Sequence, residues 1–212
     1  MTADRVLEPI VLGAMACLGI LGIGRAVILS ARGVRLVTLD RRRTILQALT
    51  DLGFVLCFVL WVYEVLAFTV PLGFHVVPAA VRATVLTLGA ARIAGVLVMA
   101  AGLLVYALAL HALGSSWRLT IDRDRPGALV RDGVFGRSRN PVYLGLIALA
   151  VGVFLVLGRL VLLVLAIVFV GYFELLIRRE ERFLAGQYGD AYREYARSVG
   201  RWWTWRSRDG EA

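Results

Sequence analysis

The chain has 212 residues, 59% of them hydrophobic, and a mean hydropathy of +0.77. That is more apolar surface than one water-soluble domain can bury. All 24 basic residues are arginine, the sequence containing no lysine, and the net charge is +9. The arginines flank apolar runs and form no face interleaved with aromatics, which argues against nucleic acid as a partner and makes them topology signals. The fold class that follows is an all-α, polytopic membrane protein forming one integral-membrane domain.

Residues 6 to 24 are apolar apart from Glu8 near the start, and Arg25 closes them. About twenty residues suit a bilayer core. No basic segment precedes this run and no small-residue cleavage site follows it, so it reads as a retained span. Gly19, Gly22 and Gly24 have the wrong spacing for a phosphate loop and read as packing glycines. Arg25, Arg32, Arg35, Arg41, Arg42 and Arg43 then crowd one short loop, which the positive-inside rule places in the cytoplasm.

A second span covers residues 45 to 70. It contains Glu64, an ionisable group that is either a functional candidate within the span or sits near its outer end, within reach of water or of His75. A short loop bracketed by Pro71 and Pro78 leads to a third span at 90 to 113. There Gly95 and Gly102 lie seven residues apart, on nearly one face, and predict close packing against another helix. His111 stands at the end of this span. Cys17 and Cys57 sit singly in separate spans, with only His75 and His111 as further soft ligands, so neither a metal nor a disulfide framework is expected.

The following loop carries Arg118, Arg123, Arg125, Arg131, Arg137 and Arg139 and is again cytoplasmic by the same rule. It runs into Asn140-Pro141. Proline biases the preceding residue away from helix and suits the first helical position, so a helix starts at Pro141. Free backbone donors and the positive end of the dipole then lie beside Arg137, Ser138, Arg139 and Asn140, suited to an anionic or carboxylate-bearing ligand.

A fourth apolar segment at 142 to 157 is followed by a Gly158-Arg159 turn and a return over 160 to about 177, predicting a helical hairpin. The tail adds eight arginines. About five spans, with the N-terminus outside and the C-terminus inside, satisfy every segment.

Glu180 and Glu181 leave the last span side by side. They point about 100° apart and cannot share one role: one is expected to face the loop of Arg137 and Arg139, the other solvent or Arg178. Phe183, Tyr188, Tyr192, Tyr195 and Val199 recur at helical spacing and predict an amphipathic helix lying on the interface or covering the site. Trp202, Trp203 and Trp205 read as interfacial anchors.

Four elements occur in order. They are Leu113-Gly114-Ser115-Ser116-Trp117-Arg118; the run Leu-Val-x-x-Gly-x-Phe-x-x-x-Arg-Asn-Pro-x-Tyr-x-Gly over residues 129–145; Arg178-Arg179-Glu180-Glu181-x-x-Leu184; and Tyr188-Gly189-x-x-Tyr192-x-x-Tyr195. Together they resemble the integral-membrane methyltransferases that include isoprenylcysteine carboxyl methyltransferase and phospholipid N-methyltransferases.

The resemblance covers roughly residues 105 to 205 and divides the chain into N-terminal spans, 1–104, and a cofactor-binding half. It implies S-adenosylmethionine as cofactor, a lipophilic or prenylated acceptor drawn from the bilayer, and a cytoplasmic site. It further implies that the cofactor is lined by Leu129, Val130, Gly133 and Phe135 from the loop and by Arg139, Asn140, Pro141, Tyr143 and Gly145 around the helix start. Glu180 and Glu181 complete it, and with Arg139 they are the candidate catalytic residues.

Many members have histidine where this chain has Asn140, arginine where it has Leu176 and proline where it has Gly200. An amide keeps a donor and an acceptor but does not titrate, so Asn140 is not expected to act as a general base. A carboxylate acceptor would need no base; for an amine, Glu180, Glu181 or His111 would serve. Two other classes share features with this sequence. One is an NADPH-dependent membrane reductase of the sterol type, for which the loop is short. The other is a non-catalytic lipid-binding or assembly module, which would not need the Asn-Pro helix start or the paired glutamates. The lack of lysine points to a GC-rich genome and a bacterial plasma membrane.

Overall fold

A computed structural model describes residues 4–33, 44–70, 72–114 and 128–205. Residues 115–118 of the first motif, Arg35, Arg41 to Arg43, Arg123, Arg125, Arg206 and Arg208 lie outside the described residues. The elements are α1 (Asp4–Ala31), α2 (Ile45–Thr69), a 3-10 turn (Ala79–Arg82), α3 (Gly89–Leu113), a second 3-10 turn (Gly133–Gly136), α4 (Pro141–Leu157), α5 (Leu160–Tyr188) and α6 (Asp190–Ser198). The protein is an all-α polytopic membrane protein. Leu7–Ala31, Ile45–Thr69, Gly89–Leu113 and Leu160–Tyr188 are each long and apolar enough to cross a membrane. At 17 residues α4 is shorter, about 25 Å at 1.5 Å per residue.

Several boundaries differ from the sequence expectation. Arg25 does not end the first helix, which continues to Ala31 and stops before Gly33 at φ 75°; arginine is a good helix former and no breaker intervenes. Of the three glycines read as packing residues, only Gly22 has a close neighbour, the Tyr106 hydroxyl, whereas Gly19 and Gly24 face open space. α5 continues beyond the apolar return that ends at about 177 and carries Arg178, Arg179, Glu180 and Glu181 on the same helix to Tyr188. The predicted amphipathic helix is accordingly split, because Gly189 at φ 53° separates α5 from α6.

The closest helix pair is α3 against α4. A Cβ on Gly102 would stand 2.8 Å from the carbonyl oxygen of Gly145, and one on Gly95 2.8 Å from that of Gly152. Four glycines at seven-residue spacing therefore let two antiparallel backbones touch, as small residues do in membrane helix pairs. This is the close packing expected from Gly95 and Gly102.

The bundle is filled by Val11 of α1, Trp61 and Val65 of α2, Met99 of α3, Leu149 and Val153 of α4, and Leu162 and Phe169 of α5, all buried in one cluster. Phe54 stacks on Tyr172 at 4.0 Å and 8°, and Trp61 meets Phe169 edge-on at 5.8 Å, joining α2 to α5. Outward-facing Ile20, Leu49, Leu97 and Ile167 stay exposed, as lipid contact requires.

Gly158, at φ 64°, caps α4 and turns the chain into α5, so the hairpin forms where expected. At the same end of the bundle Glu64 is fully buried. It faces the Nδ1 of His75 at 2.9 Å and accepts from the backbone N–H groups of Val76 and Val77 at 3.2 and 3.4 Å. It therefore anchors the loop after α2 from inside.

Candidate functional site at the start of the fourth helix

At the opposite end, α4 begins at Pro141, the first-turn position predicted for it. The N-terminal Asn140 is buried, and its side chain makes no capping bond to α4. Its amide instead donates one N–H to Glu181 Oε1 and the other to the carbonyl of Arg201, both at 3.2 Å. Ser138, fully buried, receives the Asn140 backbone N–H at 3.1 Å and donates to the same Arg201 carbonyl at 3.3 Å.

Two carboxylates from α5 enter this cluster by different routes. Glu181 pairs with Arg139 at 3.3 Å and with Arg201 at 2.7 Å. Glu180 is not turned to solvent or Arg178: its Oε2 accepts from the Tyr143 hydroxyl at 2.9 Å. Glu174 is the partner of Arg178, at 2.8 Å, and is bound by Arg201 at 2.9 Å. The reason is the 100° step per residue, which turns Glu180 to α4 and Glu181 to the loop.

The cluster is closed by the segment after α6. The backbone N–H of Arg139 donates to the Gly200 carbonyl at 3.1 Å, and that of Thr204 to the Arg137 carbonyl at 2.7 Å. This strap delivers Arg201, whose guanidinium reaches Glu181 with Nε at 3.1 Å and Nη2 at 2.7 Å. The fork satisfies one carboxylate oxygen with two donors, and Glu181 holds the Arg201 guanidinium above its ordinary pKa. Arg201 was not singled out from sequence, where the tail reads as a string of membrane anchors. Trp203 and Trp205 do remain exposed, stacked edge-on at 6.3 Å.

α6 covers the loop with Tyr192 and Tyr195, joined by Val199 just after it, and these pack against Leu129, Leu184 and Tyr188. The Tyr195 hydroxyl donates to the Phe135 carbonyl at 2.8 Å, fixing the 3-10 turn that Gly133 opens at φ 62°. Burial pushes the Tyr195 phenol up from its ordinary value. Tyr192 is pushed up to about 12, first by burial and then by the charge of Glu181. It stays a donor at any physiological pH.

The Tyr192 hydroxyl and the Nε of Arg139 are buried without a hydrogen-bond partner among the described residues. Orphaned buried donors of this kind call for an acceptor.

The structure thus brings together Arg139, Asn140, Pro141, Tyr143, Glu180 and Glu181, with Leu129 and Phe135 in the wall under α6. Val130 is half-buried beside Leu129, and Gly133 is exposed at the loop's turn. Gly145 lies in the α3–α4 seam against Gly102 and Tyr106. His111 is exposed in the last turn of α3.

Residues 90–191, which include α4, α5 and all but the first residue of α3, match the family model described as phospholipid methyltransferase. That segment is therefore similar to the membrane methyltransferases. Over 78 residues the chain is also 33% identical to the Protein-S-isoprenylcysteine O-methyltransferase of Schizosaccharomyces pombe. That similarity covers 36% of this chain, and it spans only 33% of the length of that relative. The paired glutamates and the Arg-Asn-Pro helix start both fall inside the matched segment, whereas Tyr192 and Arg201 lie beyond it.

Proposed function

We propose that the protein is an S-adenosylmethionine-dependent membrane methyltransferase acting on a lipophilic acceptor at the cytoplasmic face of a bacterial plasma membrane. The observation that carries this reading is the convergence of Asn140, Tyr143, Glu180 and Glu181, all within the segment that matches the phospholipid methyltransferase model, with two orphaned donors, Arg139 Nε and, just beyond that segment, the Tyr192 hydroxyl. The donor set fits an amino-acid moiety. Arg139 and Tyr192 would hold its carboxylate, and Glu180, whose described partner is one hydroxyl, would hold its ammonium.

The sulfonium supplies an electrophilic methyl group whose positive charge disperses on transfer. The protein's part is then alignment and exclusion of water more than acid-base chemistry. Pro141 starts α4 rigidly, Asn140 ties that start to α5, and α6 covers the loop. A carboxylate acceptor, such as a prenylated cysteine, would be nucleophilic as it arrives. A lipid amine would pass its proton to a carboxylate, with Glu180 placed for this beside Tyr143. On this reading residues 1–104 form the scaffold and acceptor side and 105–205 the cofactor side, with the N-terminus outside and the arginine-rich loops inside.

The test is calorimetric binding of S-adenosylhomocysteine and of NADPH to the detergent-purified protein. Micromolar affinity for the former, weakened tenfold by Asn140→Ala or Glu181→Ala, about 1.4 kcal/mol, is the expected result. Binding of NADPH instead would transfer the site to a reductase. Binding of neither by folded protein would leave a non-catalytic membrane module.

A further inference from the structure

Six consecutive-face residues of α5 fall into three pairs seven apart, and seven residues return a helix to within about 20° of the same direction. Each pair is held by a single residue from a different part of the chain. Tyr143 of α4 takes 173 and 180: its ring lies 5.4 Å from that of Phe173, and its hydroxyl reaches Glu180 at 2.9 Å. Arg201 of the strap takes 174 and 181, at 2.9 Å to Glu174 and 2.7 Å to Glu181. Asp51 of α2 takes 172 and 179: its Oδ1 accepts from the Tyr172 hydroxyl at 3.1 Å and from Arg179 Nη1 at 3.3 Å.

Adjacent stripes on a helix are about 100° apart, so the three clamps together leave α5 one rotational setting. In that setting Glu180 faces α4 and Glu181 faces the Arg139 loop. Two of the clamping residues belong to the cluster itself. The third comes from the N-terminal spans, 39 residues before the family-matched segment begins at residue 90.

We infer that Asp51 is a positioning residue for the candidate site: by holding Tyr172 and Arg179 it sets the rotation of α5 that presents Glu180 and Glu181 to their separate partners. The stacking of Phe54 on Tyr172, one turn further along α2, supports the same contact from the apolar side. Its consequence for ligand affinity rests on the methyltransferase reading, whereas the helix setting itself does not.

The experiment uses the full chain in lipid nanodiscs with Cys17→Ala and Cys57→Ala, and nitroxide labels at Leu108 on α3 and Gln187 near the end of α5, both exposed. The distance distribution and the affinity for S-adenosylhomocysteine are measured for Asp51→Asn, for Asp51→Arg, and for Asp51→Arg combined with Arg179→Asp. Asp190→Asn, which removes a surface pair with Arg193, serves as control and should change neither.

Asp51→Asn is expected to shift or broaden the distance and weaken binding roughly tenfold, and the exchanged pair to recover most of both relative to Asp51→Arg alone. An unchanged distance, unchanged binding despite a changed distance, or an exchanged pair no better than Asp51→Arg would each overturn the inference. If the unmodified protein binds no S-adenosylhomocysteine, the methyltransferase reading fails while the distances still decide whether Asp51 sets α5.

Discussion

The glycine seam between α3 and α4 gives the sharpest stability prediction, because the space available can be read atom by atom. A Cβ added at Gly102 meets the Gly145 carbonyl oxygen at 2.8 Å, the Leu149 nitrogen at 2.9 Å and the Ala148 Cβ at 3.0 Å. None of these can move by changing a rotamer. Ordinary contact begins at 3.4 Å, so the helices must part by at least about 0.6 Å along the closest interface in the bundle. Overpacking of that kind costs roughly 1–3 kcal/mol, against a gain of up to about 1 kcal/mol from replacing glycine by alanine within a helix. A net loss of roughly 1–2 kcal/mol is expected for Gly102→Ala, and a similar loss for Gly145→Ala. The double variant should lose less than the sum of the two, since one separation accommodates both methyl groups. Gly13→Ala and Gly171→Ala, with no heavy atom within 4 Å of the new methyl, should be neutral or more stable. Equilibrium unfolding in mixed micelles, followed by the fluorescence of the buried Trp61, ranks all five. Seam variants no less stable than Gly13→Ala, or a double variant that loses the full sum, would refute the reasoning.

Two further predictions concern the ends of the bundle. Arg201→Lys keeps the charge but loses the planar fork that reaches Glu181 twice and Glu174 once, so the strap should loosen. Hydrogen exchange of the Arg139 and Thr204 amides should speed up, and affinity for S-adenosylhomocysteine should fall several-fold, while the unfolding midpoint moves little; protected amides would count against the strap. At the opposite end, Glu64→Gln replaces a buried carboxylate that accepts from His75 and from the Val76 and Val77 amides. Hydrogen bonds to a charged group are worth about 1.5–3 kcal/mol, so these two amides should exchange faster with little effect at the distant site, and equal exchange rates would exclude the anchor role.

The parts of this architecture set by local rules were legible in the residues. Pro141 announces its helix because its fixed φ and missing N–H suit that position, Gly158 announces the hairpin, and Gly95 and Gly102 announce a close neighbour. Which helix that neighbour is could not be read, because Gly145 and Gly152 carry the matching spacing inside a segment whose glycine also belongs to the Arg-Asn-Pro run. The direction of Glu180 was not legible either. A hydroxyl on Tyr143, thirty-seven residues away in sequence, decides it, and nothing near Glu180 encodes that contact. Arg201 was missed for the same reason: its partners lie 20 and 27 residues back, and an arginine beside tryptophans looks like an interfacial anchor until the strap folds over the loop. Asp51 was not singled out from sequence, because its contacts to Tyr172 and Arg179 lie more than 120 residues away.

Asn140 holds the cluster together through an amide. Both of its N–H groups are engaged at 3.2 Å, one by Glu181 and one by the Arg201 carbonyl, so it joins the start of α4 to α5 and to the strap without titrating. Asn140→Asp keeps the shape and removes both donors, setting a carboxylate oxygen against a carboxylate and a carbonyl. A carboxyl so placed is favoured in its protonated form, and its folded-state pKa stands above the unfolded value of about 3.9. The sign follows: relative to the parent, the variant is least stable at neutral pH, where the folded state must hold the charge, and the deficit shrinks as pH falls through the raised folded pKa. Losing two hydrogen bonds to leave buried acceptors facing one another should cost roughly 2–4 kcal/mol at pH 7. The difference in unfolding free energy between variant and parent, measured from pH 7.5 down to 5, should therefore narrow. A difference that stays constant over this range would mean that the amide ties neither α5 nor the strap.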